Sequence, residues 1–269
     1  MIKDITLGQY FPGDSLLHRA DPRVKIVLTL MLMTILLMVS SYASFFMFAG
    51  LIFIAMLTCK IPLAYALGGV RPIMPIAIFT AVINIFMTEG NILLGFKFIN
   101  ITYEGLDTAA KMTIRLILLI LGTSLMLLTT TPLSLTDGME RLFSPLGCIG
   151  VPVHELAMMI NIAIRFIPTL LGETDKIMKA QMSRGVDFRD GNILRRSKNF
   201  IPILVPLFVG SIKRADELAT AMEARCYRGG RGRTRMRQLK LSIADLQITL
   251  FVIIFNLLLI YVQYIRMPV

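Results

Sequence analysis

Two short stretches, AQMSRG at 180–185 and AMEARC at 221–226, share the form Ala-x-x-[Ser/Ala]-Arg-small, with Arg184 and Arg225 lying 41 residues apart. An arginine offers a planar fork of donors that fits carboxylates and carbonyl oxygens. Small residues keep the surface around each one low: Ala180, Ser183 and Gly185 in the first copy, Ala221, Ala224 and Cys226 in the second. A low surface lets another backbone come close, so the chemistry on offer is recognition of a partner rather than bond making. Each copy closes a stretch with helical spacing, where a basic residue suits the negative end of the helix dipole. Gly185 suits the left-handed cap; with Cys226 in its place, the second helix is expected to continue to Gly229 or Gly230. Arginine beside glycine is ordinary helix capping, which would account for one copy. Two matching copies at the ends of two long helices weaken that explanation.

Other chemistry is missing from the sequence. GxxxxGK[ST], HExxH and GxSxG are not found, so no phosphate-binding loop, zinc-protease helix or nucleophile elbow is expected. His18 and His154 are far apart, and Cys59, Cys148 and Cys226 have no paired spacing, which argues against a metal knuckle or a disulfide framework. No cofactor, metal or catalytic residue is therefore expected on this chain. Asn84 and Arg115 are the main polar residues in or near the apolar segments, and both read as partners of neighbouring helices rather than as an ion path. A chain with no energy source and two projecting basic helix ends is expected to borrow energy from a partner.

The elements that position the arginines follow from composition. The 269 residues are 55% hydrophobic and 17% charged, with a mean hydropathy of +0.72, whereas soluble domains are about a quarter charged. A lipid bilayer removes the need for polar surface. The net charge of +11 is uneven, since residues 131–245 hold 18 of 28 Lys and Arg and 11 of 17 Asp and Glu. Neither a cleaved signal peptide nor a tryptophan belt is expected, the first for want of a basic start before a short apolar core and the second for want of tryptophan.

Ile26 to Cys59 is uncharged and, at 34 residues, too long for one span of about 20. Ser40-Ser41-Tyr42 is the polar break between two short helices, and Asp21-Pro22 fits a cap followed by a first helical residue. Further spans are expected at Ile73–Met87, Met112–Leu128 and Ile248–Tyr264, with a polar connection at 88–111 in which GFKFINIT alternates as an extended piece would. Basic residues flank the first span and the 60–71 loop and dominate 131–245, so the N-terminus and 131–245 are expected to face the cytoplasm. The chain thus divides into an N-terminal membrane region, 1–130, of about four spans, a cytoplasmic segment, 131–245, and a C-terminal span, 246–269. The fold class is an all-α integral membrane protein.

Residues 131–245 are too long for a mere loop. Helical runs are expected at 134–147, with Ser134 or Thr136 as cap; at 151–185, kinked or broken near Pro168; and at 200–230. In the third, Phe208, Ile212, Ala215, Leu218 or Ala219, Met222 and Cys226 recur at helical spacing and form one apolar stripe, with Lys213 and Glu217 as an i,i+4 pair. The run from Arg225 to Lys240 carries six arginines and a lysine in sixteen residues. Beside a membrane it suits lipid headgroups, and without accompanying aromatics it does not suit nucleic acid.

Three stretches, GQYFPGDSLLHRADPRVK, RFIPTLLGETDKIMKAQMSRGVDF and PLFVGSIKRADELATAMEARCYRGGRGRT, resemble the transmembrane T component of energy-coupling-factor transporters, the ABC-type vitamin importers of prokaryotes. The paired motif is similar to that family's Ala-Arg-Gly signature, and departs from it as Ser-Arg-Gly in the first copy and Ala-Arg-Cys in the second. The resemblance implies a helical scaffold in the cell membrane with long cytoplasmic coupling helices. Their ends dock in two ATP-hydrolysing subunits that hold ATP and Mg, with Arg184 and Arg225 as anchors. It also implies a membrane S component that binds the vitamin and topples. The S component would meet Met158, Met159, Ile164, Leu204, Phe208, Ile212, Ala215 and Ala219. The membrane component of a dedicated cobalt or nickel importer, of the same architecture, and a self-sufficient channel or carrier are the alternatives.

Overall fold

The computed structural model describes residues 10–96, 99–186, 188, 193–230 and 241–265. In chain order the helices are α1 (Leu16–Arg19), α2 (Pro22–Met38), α3 (Tyr42–Cys59), α4 (Leu63–Val70) and α5 (Met74–Met87). A small antiparallel ribbon, β1 (Ile92–Phe96) with β2 (Ile99–Thr102), leads into α6 (Tyr103–Thr129). Then follow α7 (Pro132–Phe143), α8 (Val153–Ser183), α9 (Ile193–Ala224) and α10 (Ile243–Ile265). The chain is an all-α integral membrane protein whose one departure, among the described residues, is that ribbon at 92–102. Packing divides it into two compact units: α1–α6 and α10 with the first half of α7, and α8 and α9 with the end of α7.

Among the described residues, five helical stretches are long and apolar enough to cross a membrane: Tyr42–Cys59, Leu63–Met87, Tyr103–Thr129, Val153–Ser183 and Ile243–Tyr264. Four of these coincide with expected spans. The fifth expected span is α2, whose 17 residues reach about 26 Å at 1.5 Å each, a little short of the hydrocarbon core of about 30 Å. The fifth observed stretch is α8, which the sequence reading assigned to the cytoplasmic segment. The 60–71 connection is not a loop either, because Pro62 opens α4, which passes through a 3₁₀ turn at Arg71–Ile73 into α5. Pro75 lies in the first turn of α5, as expected. Pro168 does not break α8, which runs unbroken through it; a single lost ladder bond is borne by a helix of this length. The cap of α7 is Thr131 rather than Ser134 or Thr136. Its Oγ1 accepts from the Ser134 N–H at 3.2 Å, and Pro132 suits the first helical position.

The membrane unit is built around α6, which packs on α2, α3, α4 and α5, and against α2 and α3 lies α10. Its first-turn Asp245, only 2% exposed, accepts from its own Ser242 N–H at 2.7 Å and from the Asp21 N–H at 2.8 Å. At the other end Gln263 accepts from the Ser40 and Ser41 N–H groups at 3.3 and 3.2 Å. One helix thus satisfies loose donors at the start of α2 and at the α2–α3 break, which forces α10 parallel to α2. Between these ends Leu259 packs with Leu36, Phe45, Phe48 and Ile52. Lys25 is buried and donates to the Thr129 carbonyl at 3.0 Å and to Thr130 Oγ1 at 3.3 Å, fixing the end of α6. Arg115 donates to the Val39 carbonyl at 2.6 Å and lies over the Phe45 ring, so it serves a helix neighbour, as read from sequence. Asn84, also read as a partner of a neighbouring helix, instead donates to the Thr80 carbonyl one turn back in its own helix, α5.

Close crossings depend on glycine. A Cβ on Gly105 would lie 3.0 Å from the Ile85 carbonyl oxygen, and one on Gly122 would lie 2.2 Å from the Met33 methyl. These small positions let α6 approach α5 and α2, as in other membrane helix pairs.

Two predictions follow from the capping. Asp245→Ala strips partners from two backbone donors and is expected to destabilise the solubilised protein by about 1–3 kcal/mol, more than Gln263→Ala at its less buried site; thermal unfolding in detergent checks the ranking. Asp21 caps α2 through the Arg23 N–H at 2.9 Å. Burial pushes its carboxyl up, but hydrogen bonds from the Arg23 side chain and backbone, with the charges of Arg23 and Lys25, outweigh this and hold it below the usual carboxylate range. A depressed folded pKa adds stability above the ordinary carboxylate value, and that stability is lost as pH falls through the depressed one. Asp21→Asn, which keeps a capping oxygen but not the charge, is expected to lose this acid-range dependence of the melting temperature and to be less stable at neutral pH.

Candidate functional site

Both arginine motifs end long helices, and both helices end the same way. At the first, the Gly185 N–H donates to the Met182 carbonyl at 3.0 Å and the Val186 N–H to the Gln181 carbonyl at 3.1 Å. At the second, the Cys226 N–H donates to Glu223 at 2.8 Å and the Tyr227 N–H to Met222 at 3.0 Å. Each is a Schellman cap, with its left-handed residue just past the arginine. Gly185 holds φ at 87° and Cys226 at 56°. The expectation that α9 would continue to Gly229 or Gly230 is thus corrected: α9 stops at Ala224, and Cys226 takes the glycine conformation. The cysteine changes the cost of the cap and leaves its geometry intact.

All eight motif residues, Ala180, Ser183, Arg184, Gly185, Ala221, Ala224, Arg225 and Cys226, are exposed. The two arginines are not brought together. Glu173 of α8 meets Arg214 of α9 in an ion pair, and Gly230, just beyond α9, lies against His154 in the first turn of α8. Moving back along α8 therefore means moving forward along α9, so the helices are antiparallel. Arg184 stands at one end of the pair and Arg225 near the other. The 31 residues of α8 put roughly 46 Å of helix between those ends.

The faces of α9 differ from the stripe read in the sequence. Ile203 is buried, and Leu207, Ser211, Arg214, Leu218 and Met222 are partly covered on the same side. Leu204, Phe208, Ile212, Ala215 and Ala219 form a second stripe that is exposed, with Phe208 68% accessible. Leu218 and Met222 thus turn inward while Phe208 and Ile212 turn outward, because Arg214 must reach Glu173. Lys213 and Glu217 are both exposed, and among the described residues it is Arg214, not Lys213, that finds an acid. On α8 Met159 is exposed, whereas Met158 and Ile164 are partly covered. The basic run beyond Gly230 lies outside the described residues, as do the first nine residues.

Glu140, His154, Glu173, Arg214 and Gly230 were not singled out as site residues by sequence reasoning. Their one sequence signal was Gly229-Gly230 directly after the second motif.

Residues 13–236 match the family described as CbiQ: Cobalt transport protein. The chain is similar to the energy-coupling factor transporter transmembrane protein EcfT of Ruminiclostridium cellulolyticum, 52% identical over 98% of this chain and 99% of that one. It is also similar to the EcfT protein of Clostridium kluyveri, at 55% identity over 91% and 92% of the two chains. That of Bacillus subtilis is 43% identical over 98% of this chain and its own whole length.

The shared cap gives opposite expectations for the two motifs. Cys226→Gly relieves a left-handed non-glycine residue and is expected to raise stability by about 1 kcal/mol, whereas Gly185→Ala is expected to lower it by about 1–2 kcal/mol. Thermal unfolding of the two variants, with amide exchange at 181–186 and 222–227, checks the pair.

Proposed function

The chain belongs to the EcfT family of energy-coupling factor transporter transmembrane proteins, and from that premise we propose that it carries the work of two ATPase subunits to a separate substrate-binding membrane protein. The observation that carries this reading is the pair of identically capped, exposed arginine tips at opposite ends of the antiparallel α8–α9 pair. A single small socket cannot receive both tips across a helix length, whereas two sockets on two like subunits can. Arg184 and Arg225 are the anchors, each offering its fork to carbonyls or carboxylates of one ATPase subunit.

ATP and Mg are held in those partner subunits, and this chain is the non-catalytic membrane part. The exposed stripe of Leu204, Phe208, Ile212, Ala215 and Ala219, with Met158, Met159 and Ile164 of α8, faces an S component that binds a vitamin or similar micronutrient. Large exposed apolar patches mark partner or membrane surfaces, and small residues toward the C-terminal end of α9 give a face on which another helix can slide. The protein sits in a prokaryotic cell membrane with its N-terminus and the arginine tips on the cytoplasmic side.

A second reading, the membrane component of a dedicated cobalt or nickel importer, is favoured by the description of the matching family. The substrate of the S component that purifies with the chain separates the two.

The anchors are tested with Arg184→Ala and Arg225→Ala together. Each truncation is expected to cost about 2 kcal/mol of binding, roughly thirtyfold in affinity. The double variant should insert normally, fail to retain the ATPase subunits and lose ATP-driven uptake. Unchanged uptake would sink the proposal, as would transport by the purified chain alone in liposomes.

A further inference from the structure

The two arginine tips share a cap but differ in what lies behind it. After Arg225 the chain turns at Cys226 and again at Gly229, with φ of 56° and 81°. It then brings Gly230 against the Cδ2 side of His154, where an added Cβ would lie 2.4 Å from Cδ2 and 2.8 Å from Cγ. Only a glycine fits so close to the ring. His154 is itself held from the other side, its Nδ1 lying 2.9 Å from Glu140 Oε1 at the end of α7. Glu140 is well covered, its side chain only 12% exposed. The end of α7, the first turn of α8 and the exit from α9 thus meet on one imidazole, five residues beyond Arg225. Behind the first tip, among the described residues, no imidazole is clamped: a Cβ on Gly185 meets nothing within 4 Å, and it is Phe188, four residues beyond Arg184, that is buried, its ring 5.7 Å from that of Phe200 in α9.

We propose that His154, seated between Glu140 and Gly230, is a positioning residue that braces the Arg225 tip. It acts through Gly230 on the segment that carries Arg225 and touches neither nucleotide nor substrate. The inference rests on the reading of Arg225 as an anchor for an ATPase subunit. A tip that transmits a push must be stiff relative to its own helix pair, and the ring supplies that stiffness at the one point where the chain would otherwise swing away from α8.

Two exposed cysteines make the brace measurable, since Cys226 is at the tip and Cys59 is buried. With Cys148→Ser, a nitroxide on Cys226 of the full-length chain in lipid nanodiscs reports the second tip. The same label on Ser183→Cys, in a Cys148→Ser and Cys226→Gly background, reports the first. His154→Ala and Gly230→Ala are each expected to increase mobility at Cys226 and to leave the Ser183→Cys label unchanged. Glu140→Gln, which keeps a hydrogen-bonding partner for the ring, should come close to wild type. The His154→Ala/Gly230→Ala double variant should match His154→Ala alone, because the added methyl acts only through the ring.

In the unlabelled complex, His154→Ala is expected to lower uptake per ATP hydrolysed by about threefold or more with the ATPase subunits still bound. Equal loosening at both tips, no loosening at Cys226, or unchanged uptake per ATP would each overturn the brace. Failure of the anchor reading shows separately, as full uptake in the double arginine variant, and leaves the label result standing.

Discussion

The constraint on which this structure depends is that helix ends must satisfy their loose backbone groups where water is scarce. A helix leaves four donors at its start and four acceptors at its end without partners, and in a bilayer each one left bare costs several kcal/mol. The membrane unit meets this demand with side chains from other helices. Asp245 of α10 serves the start of α2 and its Gln263 the donors at the α2–α3 break, Lys25 serves the end of α6, and Arg115 serves the carbonyl of Val39. Polar residues that look out of place in so apolar a chain thus hold its topology. Removing one leaves both an orphaned backbone group and a helix without its neighbour.

The α8–α9 pair meets the same demand by another route. Its two arginine-bearing ends close on themselves through Schellman caps, so no other element has to cover them. A self-sufficient end can project, and an arginine next to it stays available to another molecule. Burial is thereby exchanged for presentation. Cys226 shows how strongly the geometry is imposed, since a residue with a Cβ is driven into the left-handed region to keep the second tip like the first.

Much of this was legible in the sequence because it rests on local rules. Asp21-Pro22 marked the start of α2, the Ser40-Ser41 break split the long apolar run, and charge-free stretches marked the later spans. The start of α6 was placed too late, since the polar residues from Tyr103 onward read as a connection, whereas Thr102 caps a helix there by accepting from the Gly105 N–H. What failed had non-local causes. The sequence stripe on α9 ran through both Phe208 and Met222, because spacing alone cannot say which neighbour an arginine will seek; the Arg214–Glu173 pair decides it. The antiparallel placing of the two tips, and the seat of Gly230 on His154, likewise depend on contacts between segments far apart in the chain.

That rotation of α9 bears on what surrounds the helix. In water, a helix with an acid–base pair on one side and Leu204, Val205, Phe208, Val209 and Ile212 exposed on the other would be turned the wrong way round, since charge is solvated more cheaply than it is buried. The order makes sense if the outer surroundings are themselves apolar, because Arg214 then gains by turning to Glu173 and the apolar stripe gains by turning away. Toward the C-terminal end the outer stripe shrinks to Ala215 and Ala219, while Lys213, Asp216, Glu217 and Glu223 are exposed around it. The exposed side of one helix therefore grades from apolar to charged along its length, and its arginine stands at the charged end. A rod built this way can join an event in water to an event in lipid without a break in the backbone between them.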